Sequence, residues 1–450
     1  MKSATTLSQP ELRQVPAREG EAMHELMRNL YPICRSITGA GTVETLKRLQ
    51  KIIPLSILTI PTGTKVFDWE IPKEWNIRAA WIRNSRGETI VDFKNSNLHV
   101  VNYSAPVKAM VSLDELRKHV HTLPEHPDWV PYRTSYYHED WGFCMSHNQL
   151  KSLEDDTYEV WIDSSLEAGH LSYGELVLKG KSQEEVLIST HICHPSLCND
   201  NLSGISVAAH LALHLQNQKR KYTYRFLFIP GTIGAITWLA VNELHVRRIK
   251  HGLIAALLGL DGAFTYKKSR IGDAEIDQVA EYVLTKDNRA NKIKNFEPYG
   301  YDERQFCSPG FNLPVGCLTR TPYGEYPEYH TSADNLDLVD PHTLAESLRT
   351  FIHILELVEQ NRYYLNLRPK CEPQLGRYGL YSSLGGENNV KEYQLALLWA
   401  LNLSDGKHSL LDIAQSSSLD FSTIATAAAK LHHAGLLREL SAPEHAIERV

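Results

Sequence analysis

From Glu185 onward the chain alternates short apolar runs with helix-like stretches, and this alternation constrains the fold more than any other feature. Val186-Leu187-Ile188-Ser189-Thr190 reads as a buried strand, and an Asn/Asp-bearing loop leads from it into a helix over Gly204 to Gln216. Tyr224 to Pro230 reads as a strand, followed by a helix from Ile233 to Asn242. Gly252 to Leu260 and Gly316 to Thr319 read as further strands, Glu275 to Leu284 as a helix, and Pro341 to Asn361 as a final helix. Strands that are apolar along their whole length are covered on both faces, and strands separated by helices pair in parallel. The expected fold class is therefore α/β, with a mostly parallel or mixed sheet.

The flanks carry other textures. Residues 1–18 read as a polar tail. Glu19 to Ile37 and Thr42 to Ile53 read as amphipathic helices, the second with Val43, Leu46 and Leu49 near helical spacing, and Leu55 to Pro61 reads as a strand. Between Thr62 and Met110 lie short β-like runs separated by turn residues and rich in tryptophan (Trp69, Trp75, Trp81). This predicts a small β domain over 62–125, nested in an α/β domain made of 19–61 and 126–366. Pro369 to Gly386 reads as a linker. Residues 385–450 then offer helices at Lys391 to Leu401, from Leu410, and at Phe421 to Ala434, before a β stretch at Gly435-Leu436-Leu437. That order predicts a winged helix-turn-helix module. Its last helix carries Lys430, His432 and His433 but no arginine, which favours a structural or protein-contact wing over nucleic-acid binding.

Charge and cysteine usage narrow the function classes. With 47 Lys+Arg against 53 Asp+Glu the chain carries a net charge of −6, which gives no general attraction for phosphate backbones. No stretch approaches the apolar length of a membrane-spanning helix. The N-terminus has no apolar signal core, and the 7 scattered cysteines show no CxxC spacing; both point to a cytoplasmic protein with reduced thiols. Homo-oligomerisation is left open.

Chemistry concentrates in two segments. Ser189 to Gly204 reads S-T-H-I-C-H-P-S-L-C-N-D-N-L-S-G. His191 falls at the carboxyl end of the predicted strand, where open α/β sheets place their ligands. The loop then presents His194, Asn199, Asp200 and Asn201. Taken singly, Asp200 or Asn201 is a plain helix cap and His191 a core residue. Gly324 to Asp334 reads G-E-Y-P-E-Y-H-T-S-A-D and carries His330 among Glu325, Glu328 and Asp334.

T-H-x-x-H…N-D-N-L-S-G followed by Y-H-T-S-A-D-N-L-D resembles the co-catalytic zinc aminopeptidases of the zinc exopeptidase clan. F-D-W-E-I-P-K-E-W-N and Y-G-Y-D-E-R-Q-F-C-S-P-G resemble, more closely still, the bacterial aminopeptidase-like proteins often labelled polysaccharide-biosynthesis proteins. The resemblance implies a zinc-exopeptidase-like (phosphorylase/hydrolase-like) domain and assigns His191, Asp200 and His330 as metal ligands. It also implies two adjacent glutamates after a middle strand, where this chain has Pro230-Gly231. Asp261 is the nearest candidate for a further ligand and equally an ordinary turn aspartate. Three ligands suffice for one zinc with an open position; a second zinc is left open. Glu328 and Glu303 are the candidate bases, with His194 as a third. Tyr301, Asp302 and Arg304 are candidates for substrate binding, Arg304 toward a carboxylate and Asp302 or Glu303 toward an amine. The expected activity is hydrolysis of a small peptide or amide by metal-activated water. The competing readings are an amidase or deacylase acting on an acylated sugar, and an inactive ligand- or protein-binding relative.

Overall fold

The structure is a computed structural model that describes residues 17–287, 289–380 and 390–441. Nearly all of the expected polar tail (1–18), the end of the linker and both ends of the 385–450 module lie outside the described residues. The chain divides into two compact units, one within Val15–Ile352 and the other within His353–Val450.

The first unit is built on an eight-stranded mixed sheet. At its centre Glu185–His191 pairs in parallel with Thr223–Ile229 on one side and Ile249–Ala255 on the other. Val315–Arg320 adds in parallel to Ile249–Ala255. Antiparallel strands extend the sheet, His170–Leu178 and Ser56–Pro61 at one side and Phe264–Lys267 at the other. All seven residues of Glu185–His191 are buried, as expected for a strand covered on both faces. Because the central strands run the same way, the segments after His191 and after Ile229 emerge at one edge of the sheet.

Helix Gly204–Gln216 follows the first of these segments and is packed tightly against the sheet. A Cβ at Gly204 would stand 2.4 Å from the carbonyl oxygen of Ala255 and 2.4 Å from Asn201 Oδ1, so only glycine lets the helix start so close to the neighbouring strand. Gly204→Ala is expected to cost about 1–3 kcal/mol through overpacking, read as a lower urea midpoint with an unchanged m-value.

The strand expected over Gly252 to Leu260 runs Ile249–Ala255 instead. Beyond it the backbone finds side-chain partners rather than a strand: Leu257 N–H donates to Asn201 Oδ1 (3.2 Å), Leu258 N–H to Ser203 Oγ (2.9 Å) and Gly259 N–H to Asn199 Oδ1 (2.9 Å). The first helix, Ala17–Leu30, also stops short of Ile37, because Pro32 disfavours helical geometry at Tyr31.

A separate four-stranded antiparallel sheet has the order Thr89–Asp92, Glu74–Arg83, Thr157–Glu167, Val107–Ser112. Its third strand comes from beyond residue 125, so the nested β region is wider than the expected 62–125. The pairing of Trp81 with Trp161 and of Ile82 with Val160 could not be foreseen from either strand alone.

In the second unit, helices Val390–Leu403, Leu410–Ser417 and Phe421–His433 accompany a three-stranded sheet of Asp405–Ser409, Tyr363–Asn366 and Leu437–Leu440. This is the expected winged helix arrangement, with one correction. Its middle strand, Tyr363–Asn366, precedes residue 385 and had been assigned to the α/β domain.

Candidate metal centre

His191 ends the central strand with a side chain only 4% exposed. The loop after it turns back so that Asp200, fully buried, meets it: His191 Nε2 lies 2.8 Å from Asp200 Oδ1. His330, 130 residues later, approaches the other oxygen, with Nε2 2.8 Å from Oδ2. The carboxylate thus has an imidazole on each oxygen. Among the described residues, His191, His194 and Asp200 form the one group of three donor residues whose ligand atoms lie within 4.8 Å of one another.

His194 is the member that sequence reasoning ranked too low. Its ring lies 4.9 Å from that of His191 and 5.2 Å from that of His330. Burial pushes its pKa down to about 3, so it is neutral, the state in which an imidazole donates to a metal. The available signal was the H-x-x-H spacing that begins at a strand end. Burial alone would raise the pKa of Asp200, but its electrostatic coupling to the adjoining His194 and the hydrogen bonds from His191 and His330 outweigh it and hold the carboxyl well below its usual value.

Two devices fix these side chains. The loop carrying Asp200 is clamped by Asp334, itself fully buried. Asp334 Oδ1 accepts from the N–H groups of Cys198 (3.1 Å) and Asn199 (2.6 Å), and Oδ2 accepts from the N–H of Asp200 (3.0 Å). Buried Arg35 donates from Nε to the carbonyl of His194 (2.8 Å). His330 sits at φ 56°, a left-handed conformation that costs an L-residue about 1–2 kcal/mol. Its carbonyl accepts from Tyr132 N–H (2.7 Å), and its ring stacks on Tyr329 at 4.0 Å. Tyrosines line the surroundings: Tyr301 stacks over His191 at 5.3 Å, and Tyr132 meets both His194 (5.2 Å) and His330 (5.1 Å) edge-on.

The other candidates divide. Asp261 is corrected as a ligand: its side chain is 87% exposed and turned to Arg320, 3.5 Å away, whereas the donor group is buried. Glu303 is fully buried; its Oε1 pairs with Lys267 at 2.5 Å, while its Oε2 has no hydrogen-bond partner. The backbone carbonyl of Glu328 accepts from Thr331, and its side chain has no contact that ties it to the histidines among the described residues. Glu325 faces Lys292 (2.8 Å) and Lys294 (3.2 Å). Asp302 is buried, and its Oδ1 accepts from Thr232 N–H at 2.7 Å. Arg304 reaches Thr232 Oγ1 at 3.4 Å, while its buried Nε has no hydrogen-bond partner.

The donor chemistry fits zinc: imidazole nitrogens and one ionised carboxylate, converging on rigid elements with a clamped supporting loop.

Comparison with known proteins agrees with this fold. Residues 24–361 match a family model described as Domain of unknown function (DUF4910), and residues 362–439 match a winged helix-turn-helix model. A Clostridium acetobutylicum protein, named for polysaccharide biosynthesis and an aminopeptidase-like domain, is 50% identical over 425 residues, covering 94% of this chain and 98% of its own. A crystal structure of a candidate peptidase from Clostridium acetobutylicum superposes with a TM-score of 0.89 at 48% identity, covering 95% of this chain and 98% of that one. A zinc aminopeptidase from Bacillus subtilis superposes with a TM-score of 0.55 at 12% identity, covering 77% of this chain and 96% of that one. The last likeness shows a shared fold alone.

Proposed function

The chain belongs to the DUF4910 family, and from that premise we propose that it is a zinc-dependent hydrolase of the aminopeptidase type, acting on the amide bond of a small peptide-like substrate. The observation that carries this reading is the Asp200 carboxylate with His191 on one oxygen, His330 on the other, and His194 in the same donor group. In the proposal Asp200, His191 and His330 hold the metal, and His194 supports or joins them. A zinc ion held there supplies Lewis acidity, polarising a carbonyl and acidifying water. Asp334 keeps the Asp200 loop in register. Arg304, with its unpartnered Nε, is suited to hold a substrate carboxylate, and the tyrosines around the histidines exclude water from the reacting bond.

One zinc per chain is expected. A second would need further carboxylates; Asp261 faces solvent, and Pro230 and Gly231 offer no side-chain ligand. A second reading, an amidase acting on an acylamino sugar, is favoured by the name of the 50% identical relative.

Elemental analysis paired with a substrate panel tests both. Purified chain should carry close to one zinc, cleave aminoacyl amides, lose activity to a chelator and regain it with zinc. Chelation should also lower the melting temperature, since a ligand at 100–1,000 times its Kd stabilises the fold by about 3–4 kcal/mol. Turnover of acylamino sugars alone selects the second reading. A chain without zinc or turnover contradicts both.

A further inference from the structure

Pro230 and Gly231 follow the strand beside His191 and carry no ionisable side chain. A Cβ at Gly231 would stand 3.6 Å from His191 Cβ and 3.4 Å from Cys193 Sγ, so the position adjoins the residue that ends the central strand. The position offers no proton acceptor of its own.

A carboxylate arrives at this spot from another part of the chain. Asp302 Oδ1 accepts from the N–H of Thr232, the residue that follows Gly231. The residue before Asp302, Tyr301, stacks over the His191 ring at an interplanar angle of 13°. Asp302 is therefore held next to Gly231 by Thr232, and the residue before it covers the His191 ring. Among the described residues nothing donates to its second oxygen, Oδ2. It lies outside the compact donor group of His191, His194 and Asp200, which leaves it beside the centre rather than in it.

We propose that Asp302 is the general base of the hydrolysis, supplying from residue 302 the carboxylate that residues 230 and 231 lack. This rests on the hydrolase reading above. Oδ2 takes one proton from the attacking water as the water oxygen bonds to the carbonyl carbon. The C–N bond then breaks with its electron pair going to nitrogen. Asp302 returns the proton to that nitrogen, leaving a carboxylic acid and an amine.

The surroundings suit the role. Burial raises the Asp302 pKa to about 6, against the opposing pull of the Thr232 N–H and the charge of His191, so the group is ionised yet basic near neutrality. The titratable groups that face it are His191 and Cys193 at the end of the central strand, Glu303 and Arg304 on its own element, Tyr137 from the 132–137 segment, and Cys317 on Val315–Arg320.

The test is Asp302→Asn in the zinc-loaded full chain. The amide keeps Oδ1 for Thr232 N–H, so the melting temperature and zinc content should match wild type. The rate should fall about 10²–10⁴-fold, the range for a lost general base. A base must be ionised to act, so the wild-type rate should show an acid limb, and that limb should vanish in the variant. Carboxyl-labelled aspartate gives a readout free of turnover: one ¹³C resonance, missing in the variant, should titrate with the acid limb of the wild-type rate. A variant with wild-type rate and an intact acid limb overturns the base alone, as does one that loses zinc in step with activity. A wild-type chain that holds zinc and hydrolyses nothing overturns the hydrolase reading and the base with it.

Discussion

Asp200→Asn is expected to empty the metal centre and reduce hydrolysis at least about 10³-fold, because each 1.4 kcal/mol of lost Lewis-acid stabilisation costs a factor of ten. Asp200 is the one carboxylate in the compact donor group. Both of its oxygens are engaged, by His191 and by His330. Asparagine has the same shape but no charge, and its amide end can only donate. It can keep one imidazole contact and must turn a donor toward the other. The fold should survive, because the clamp from Asp334 uses the backbone N–H of residue 200 and not its side chain. The expected result is a chain with near wild-type stability when metal-free, a zinc content below about one-tenth, and no chelator-sensitive turnover.

Asp334→Asn should act in the opposite pattern, on stability as well as on the site. Three consecutive backbone amides, of Cys198, Asn199 and Asp200, depend on its two oxygens, and all are buried. Asparagine can still accept from Cys198 and Asn199 through Oδ1. Its Nδ2 would then face the N–H of Asp200, donor against donor. Leaving a buried amide without an acceptor costs about 1–3 kcal/mol, and replacing charge-assisted bonds by neutral ones adds to it, so a loss of about 2–4 kcal/mol is expected. Thermal or urea unfolding measures that directly. Release of the loop should also weaken zinc binding by about 10–100-fold, the usual effect of losing a supporting contact. If stability fell while zinc affinity stayed at the wild-type value, Asp334 would be a packing residue without a positioning role.

The sheet and half of the site were legible in the sequence for one reason. Apolar runs such as Val186 to Thr190 report burial on both faces, and burial on both faces puts His191 at a strand end. Asp200 and His330 needed more than spacing, since 130 residues separate them and only the motif resemblance joined them. His194 was visible as the second histidine of H-x-x-H but was overshadowed, because nothing local shows that Arg35 pins its carbonyl and burial keeps its ring neutral. Asp302 was seen as a substrate contact; that it meets Thr232 across 70 residues is a property of packing alone. Asp261 lies outside the compact donor group, with a side chain 87% exposed and 3.5 Å from Arg320, a placement that a turn sequence does not reveal. The β region was drawn too short because Thr157–Glu167 reads as a strand without revealing which sheet it joins.

The most direct measurement is anomalous scattering at the zinc edge from crystals of the purified chain. The expected result is a peak bonded to Asp200 and His191 at about 2.0–2.2 Å, with His330 or His194 completing the protein ligands. An absence of any peak there, with His191 and His330 still hydrogen-bonded to Asp200 at 2.8 Å, would contradict the metal centre and the hydrolase built on it.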